Sequence, residues 1–111
     1  MSRHDDTLSL RQMRDYVAEA VALARARTRA ELDADRVFAL ALLKLVEIVG
    51  EAAGRISEST RAAHPEIPWR EIIGMRHHLV HGYDAVDLDI LWNVATLDFP
   101  PLAEDLARLV P

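Results

Sequence analysis

The chain has 111 residues, no cysteine and a net charge of −5, which suits one domain with a single core and excludes disulfides, thiol catalysis and cysteine-based zinc sites. No apolar run reaches membrane-spanning length, and the polar start Met1-Ser2-Arg3-His4-Asp5-Asp6 has no signal-peptide core. Residues 1–111 are therefore expected to form a single cytoplasmic domain. The acidic balance argues against tight non-specific coating of nucleic acid, but it is uneven. Residues 1–83 hold 12 acidic and 12 basic groups, whereas residues 84–111 hold 6 acidic groups and only Arg108. A local positive site around Arg76 is compatible with that distribution.

Asp5, Asp6 and Thr7 offer N-caps for a first helix. Leu10, Met13, Val17, Ala20, Val21 and Ala24 then recur at helical spacing. Arg25, Arg27 and Arg29 follow near its end, where cations suit the helix dipole. They read as a solvated helix end or as a secondary phosphate contact. A second long helix is expected from about Asp35 to about Glu58. Its polar residues Lys44, Glu47, Glu51, Arg55 and Glu58 fall at steps of three and four, making one narrow stripe. The rest of Val37–Ile56 is almost wholly apolar, more than one small bundle readily covers. The expectation is a homodimer, with Gly50 and Gly54 leaving room for close helix approach.

Ser57–His64 reads as a short helix or turn. Pro68 sits where a helix begins, and Trp69–His81 carries an apolar side from Ile72, Ile73, Met75, Leu79 and Val80, with Gly82 as a natural C-terminal stop. Asp87 can cap the next helix and Asp98 the last. No alternating strand run appears. The fold class is all-α, a four- to five-helix up-and-down bundle with short connections.

Arg76-His77-His78-Leu79-Val80-His81-Gly82-Tyr83 gathers three of the five histidines, an arginine and a tyrosine. An always-charged phosphate-binding group, an imidazole titrating near neutrality and a phenol suit chemistry on a phosphodiester. On an ideal helix Arg76 and His81 lie about 140° apart around the axis and about 7.5 Å along it. Either the helix ends before His81, or a second copy completes the pair. A metal reading competes, because His77 and His81 have the i,i+4 spacing of a zinc grip. It needs a further ligand such as His78 or His64, and no metal is assigned. A structural reading competes too, with Arg76 paired to Glu71 or another acidic neighbour and His81 capping a helix end.

Arg76, His77, His81 and Tyr83 also resemble the Arg-x-x-x-x-His-x-Tyr motif of the HEPN superfamily, in its HepT-like branch of toxin–antitoxin modules. Ile48-Val49-Gly50-Glu51-Ala52-Ala53 is similar to that family's Ile-Ile-Gly-Glu-Ala stretch. Ile67-Pro68-Trp69 through Ile73-Gly74-Met75-Arg76 resembles the segment leading into the motif, and Asp87 and Trp92 also fit the pattern. His77 stands where Asn is frequent. The likeness spans about residues 5–110. It implies an HEPN-like helical homodimer that cleaves RNA without metal or other cofactor, with Arg76 and His81 catalytic in a cleft between protomers. His77 and Tyr83 would support the site or bind substrate. It further implies a nucleotidyltransferase antitoxin of the MNT class as partner, with Tyr83 as a target for AMP transfer. The alternative function is a non-catalytic helical module that binds a nucleotidyltransferase or a nucleotide.

Overall fold

The computed structural model describes residues 5–81 and 85–111, with His81 described for its backbone only. It is all-α apart from one minimal hairpin. Helix α1 (Asp6–Arg25) starts at Asp5, whose carboxylate accepts from the Thr7 N–H at 3.0 Å. The six apolar residues expected on its inner face are all buried. Helix α3 (Arg36–Gly54) starts at Asp35, which accepts from the Phe38 N–H at 3.1 Å. It packs between α1 on one side and α5 (Trp69–Leu79) on the other. Phe38, Leu42, Leu45, Val46, Val49, Ala52 and Ala53 form its buried face.

Several boundaries differ from those expected. A short helix α2 (Arg29–Ala34) stands between α1 and α3, because Thr28 adopts an extended conformation and breaks the first helix. Helix α3 stops at Gly54, and Glu58 belongs to a separate turn of helix, α4 (Glu58–Ala63). Asp6 fixes this corner. Its carboxylate accepts from the Ser57 N–H at 3.0 Å and from the Ser57 and Thr60 hydroxyls at 2.6 Å each. The first turn of α1 is thereby tied to the start of α4. Helix α5 ends at Leu79, not at His81, and Val80 is extended (φ −111°, ψ 120°). The chain enters strand β1 (Val80–His81), which pairs antiparallel with β2 (Ala85–Val86). The expected stop at Gly82 lies outside the described residues and comes too late to end α5.

Asp87 caps α6 (Leu88–Asn93) by accepting from the Ile90 N–H at 3.0 Å. Asp98 caps nothing, because α6 runs without a break through a π-helical segment, Val94–Asp98, into α7 (Phe99–Leu109). The physical cause is Pro100-Pro101. Two prolines inside a regular helix would press their rings against the carbonyls four residues back and lack two N–H donors. In the widened turn the Phe99 N–H instead reaches the Val94 carbonyl, five back, and the Thr96 hydroxyl donates to the Trp92 carbonyl at 2.7 Å. Helix α7 packs against α1, and the Arg14 guanidinium donates to the carbonyls of Val110 and Pro111.

Candidate active site

The cleft that matters lies between α3 and α5. Gly50 makes it narrow: a Cβ added there would stand 3.2 Å from the Ile72 carbonyl oxygen, so only glycine lets the two backbones close to this distance. Gly54 has no such role, since a Cβ there would meet nothing within 4 Å. Within one protomer, close helix approach therefore rests on Gly50.

Next to Gly50 the polar stripe of α3 meets Arg76. A cleft of about 160 Å³ is lined by Glu47, Gly50 and Glu51 from α3 and by Ile72, Met75 and Arg76 from α5. Arg76 Nε stands 3.9 Å from Glu47 Oε2, with side-chain exposures of 72% and 22%. At that separation the pair is an electrostatic contact and not a hydrogen bond. Arg76 makes no hydrogen bond to a described residue. Its donors therefore point to solvent beside a carboxylate that keeps the guanidinium over the cleft. Of the acidic neighbours open to Arg76, Glu47 and not Glu71 stands beside it. Glu47 and Arg76 meet only through tertiary packing, so spacing along the chain does not single Glu47 out.

His77 and His78 are exposed on α5. His78 faces away from the Arg76 cleft, into a groove toward α6 and α7. The backbone of His81 lies in β1 opposite Ala85. With α5 ending at Leu79, Arg76 and His81 no longer obey the helical geometry that would hold them apart. The same break removes the i,i+4 helical relation of His77 and His81. No group of three potential metal ligands is gathered among the described residues. The imidazole of His81 and all of Tyr83 lie outside the described residues.

Arg25 is exposed in the last turn of α1, as a solvated helix end, whereas Arg27 and Arg29 serve a different end from either expected role. Arg27 donates to Asp35 at 2.7 Å and to Glu31, and lies 4.4 Å from the centre of the Phe38 ring. Arg29 donates to Asp89 at 2.7 Å and to Asp33 at 3.1 Å. The Arg27 guanidinium holds the Asp35 carboxyl below its usual value of 3.8, helped by the Phe38 N–H. Arg27 and Arg29 thus clasp α2 to α3 and α6 and are not free for phosphate.

Comparison with known proteins bears on the whole chain. Residues 13–109 match the family described as ribonuclease HepT-like. A "Probable ribonuclease HepT" of Thermococcus cleftensis is 36% identical over 106 residues, covering 89% of this chain and 96% of that protein. Two proteins named "Putative RNase" are also similar. One, from Caldanaerobacter subterraneus, is 33% identical over 68% of each chain. The other, from Methanocaldococcus jannaschii, is 24% identical over 99% of this chain and 91% of its own. No solved structure matches the chain.

Proposed function

The chain belongs to the ribonuclease HepT-like family, and from that premise we propose that it is the toxin of a toxin–antitoxin pair, a metal-independent endoribonuclease whose site is completed by a second copy of itself. The observation that carries the reading is the placement of Arg76. It is a solvent-facing guanidinium, held over the α3–α5 cleft by Glu47 and with no hydrogen bond to a described residue. Such a group is poised for an incoming phosphate.

The chemistry follows from residue types. His81 takes the proton from the RNA 2′-OH as that oxygen attacks phosphorus. Arg76 stabilises the charge growing on the phosphorane oxygens. The 5′-oxygen leaves with a proton from an imidazolium, supplied by His81 of the second copy, and a 2′,3′-cyclic phosphate remains. His77 orients Arg76 or contacts a flanking phosphate. Tyr83 contacts RNA, and AMP transferred to it by an MNT-class nucleotidyltransferase adds bulk and negative charge that occupy the phosphate site.

The dimer has support in the outer face of α3. Val37 and Leu40 are 76% and 49% exposed, and Ala41 and Lys44 are exposed beside them. At helical spacing these residues continue into Ile48, Glu47 and Glu51. The bare apolar end of α3 therefore runs directly into the Arg76 cleft, and a second protomer seated on Val37 and Leu40 would stand at the mouth of that cleft. Single-domain organisation over residues 1–111 belongs to the same proposal.

The test combines assembly with product analysis. Sedimentation at micromolar concentration should show a dimer, and Leu40→Asp should give monomer and lose cleavage. Cleavage should persist with chelator and leave cyclic phosphate ends; loss with chelator, restored by zinc, rejects the mechanism. Co-expression with the nucleotidyltransferase encoded beside it should place AMP on Tyr83 and not on Tyr16, which is half-buried on α1. An unmodified Tyr83 in a neutralised complex rejects the modification.

A further inference from the structure

A groove larger than the Arg76 cleft adjoins it. It lies between α5 and the continuous α6–α7 helix, shares Ile72 and Met75 with the Arg76 cleft, and measures about 670 Å³. Its floor is apolar, made of Ile72 and Met75 on one wall and Val94, Phe99 and Leu102 on the other. Three features distinguish it from ordinary surface. Leu97 on its wall is 66% exposed, a large apolar side chain left in water. That wall is the π-helical segment Val94–Asp98, a widened turn of the kind common at functional sites. Finally, its titratable lining is Glu71, His78 and Asp98, with no lysine or arginine.

The two carboxylates are uncompensated. Neither Glu71 nor Asp98 has an ion pair with a described residue, whereas Asp33, Asp35 and Asp89 are each bound by an arginine. Burial pushes the Asp98 carboxyl up from its usual value. The wall itself comes from residues 84–111, with 6 acidic groups against Arg108 alone. An apolar floor beneath unpaired carboxylates suits an occupant that is apolar along one stripe and cationic at its edges. A helix with i, i+3, i+4 and i+7 anchors presents such an apolar stripe with charged edges.

We propose that the groove between α5 and α6–α7 docks an amphipathic helix of another protein, its leucine-like anchors on Met75, Leu97 and Phe99 and its lysines or arginines on Glu71 and Asp98. A nucleic acid is disfavoured, because phosphates would meet the carboxylates. A second copy is disfavoured, because a twofold contact would set the same acidic rim against itself. The groove shares Ile72 and Met75 of α5 with the Arg76 cleft, so its occupant sits next to the candidate active site. The inference stands without the RNA-cleaving reading.

The test uses the full chain and two synthetic 18-residue helical peptides of equal length, one of leucine and lysine, one of leucine and glutamate. Fluorescence anisotropy should show saturable one-to-one binding of the leucine–lysine peptide and none of the other. Leu97→Asn should weaken binding at least tenfold, as should Glu71→Lys combined with Asp98→Lys. All three positions are exposed, so the thermal midpoint checks that each variant is folded; should Leu97→Asn fail to fold, the charge variants decide alone. Absence of binding overturns the proposal. So does binding that both sets of variants leave intact, which would be non-specific charge adsorption. Saturable uptake of a single-chain cationic amphiphile without either peptide would make the groove a small-molecule site. Loss of self-association in Leu97→Asn would make it a subunit contact.

Discussion

Arg27 and Arg76 are the same residue type in opposite circumstances. Arg27 is held by two carboxylates and lies over a phenyl ring. Arg76 is 72% exposed and has one carboxylate at 3.9 Å. The first arrangement spends its hydrogen bonds on joining elements of the fold. The second leaves them open and merely aims the group. The difference lies in local supply: Glu31 and Asp35 are one and two helical turns from Arg27, while Arg76 meets its carboxylate across a cleft that Gly50 keeps narrow. The same charge fastens the fold in one place and stays open to a ligand in the other.

The comparison predicts opposite phenotypes. Arg76→Ala and His81→Ala should each lower RNA cleavage by about 10² to 10⁴, the range for losing a charge-stabilising or proton-transferring group. For Arg76→Ala the thermal midpoint should hardly move, since an exposed side chain leaves with one loose contact. Full activity in either variant would break the contrast. Arg27→Ala should do the reverse: a clear fall in the thermal midpoint, with cleavage by the folded fraction retained. Arg27→Lys should recover only part of the stability, because lysine can neither fork between Glu31 and Asp35 nor stack on Phe38 in the same way.

The two glycines of α3 sharpen the cleft half of the comparison. Gly54→Ala adds a Cβ into open space, so it should stabilise by up to about 1 kcal/mol through helix propensity, with activity unchanged. Gly50→Ala gains the same propensity but must push the Ile72 carbonyl by a few tenths of an ångström. Its stability should change little, while cleavage drops several-fold as α5 carries Arg76 away from Glu47. Equal activity in the two variants would show that the α3–α5 spacing does not matter.

The smallest effect is in acid. Asp35 is held below 3.8 in the folded protein. Its contribution is therefore complete above 3.8 and disappears as pH falls through the lowered value. Asp98, pushed up by burial, acts in the opposite sense: its protonation as pH falls favours the folded state. Asp35→Asn keeps a cap for α3 but loses the charge. Its acid unfolding limb should be shallower than that of the parent protein, and an unchanged limb would mean that the clasp contributes nothing.

Interactions spanning a few residues were legible in the chain. The inner stripe of α1, the caps at Asp5 and Asp87, and the motif from Arg76 to Tyr83 all follow from residue type and spacing. The end of α5 at Leu79 was not legible, because Val80 leaves the helix to pair with Val86, and strands of two residues are too short to show alternation. The run-on of α6 into α7 was hidden as well. Asp98 followed by prolines looks like the start of a new helix, yet the prolines are absorbed by a π turn.

What the sequence determined by itself was the all-α class, the two long helices α1 and α3, and the family likeness. Helical periodicity, capping and local motifs act over a few residues and survive in the one-dimensional order. The tertiary structure alone decided which charges are spent. Arg29 finds Asp89, Asp6 finds Ser57 and Thr60, and Arg76 finds Glu47, each pair joined only once the helices are packed. Coulomb attraction and hydrogen bonding depend on distance in space, and for residues far apart in the chain that distance is set by the burial of Leu10, Val46, Ile72 and their neighbours in the common core.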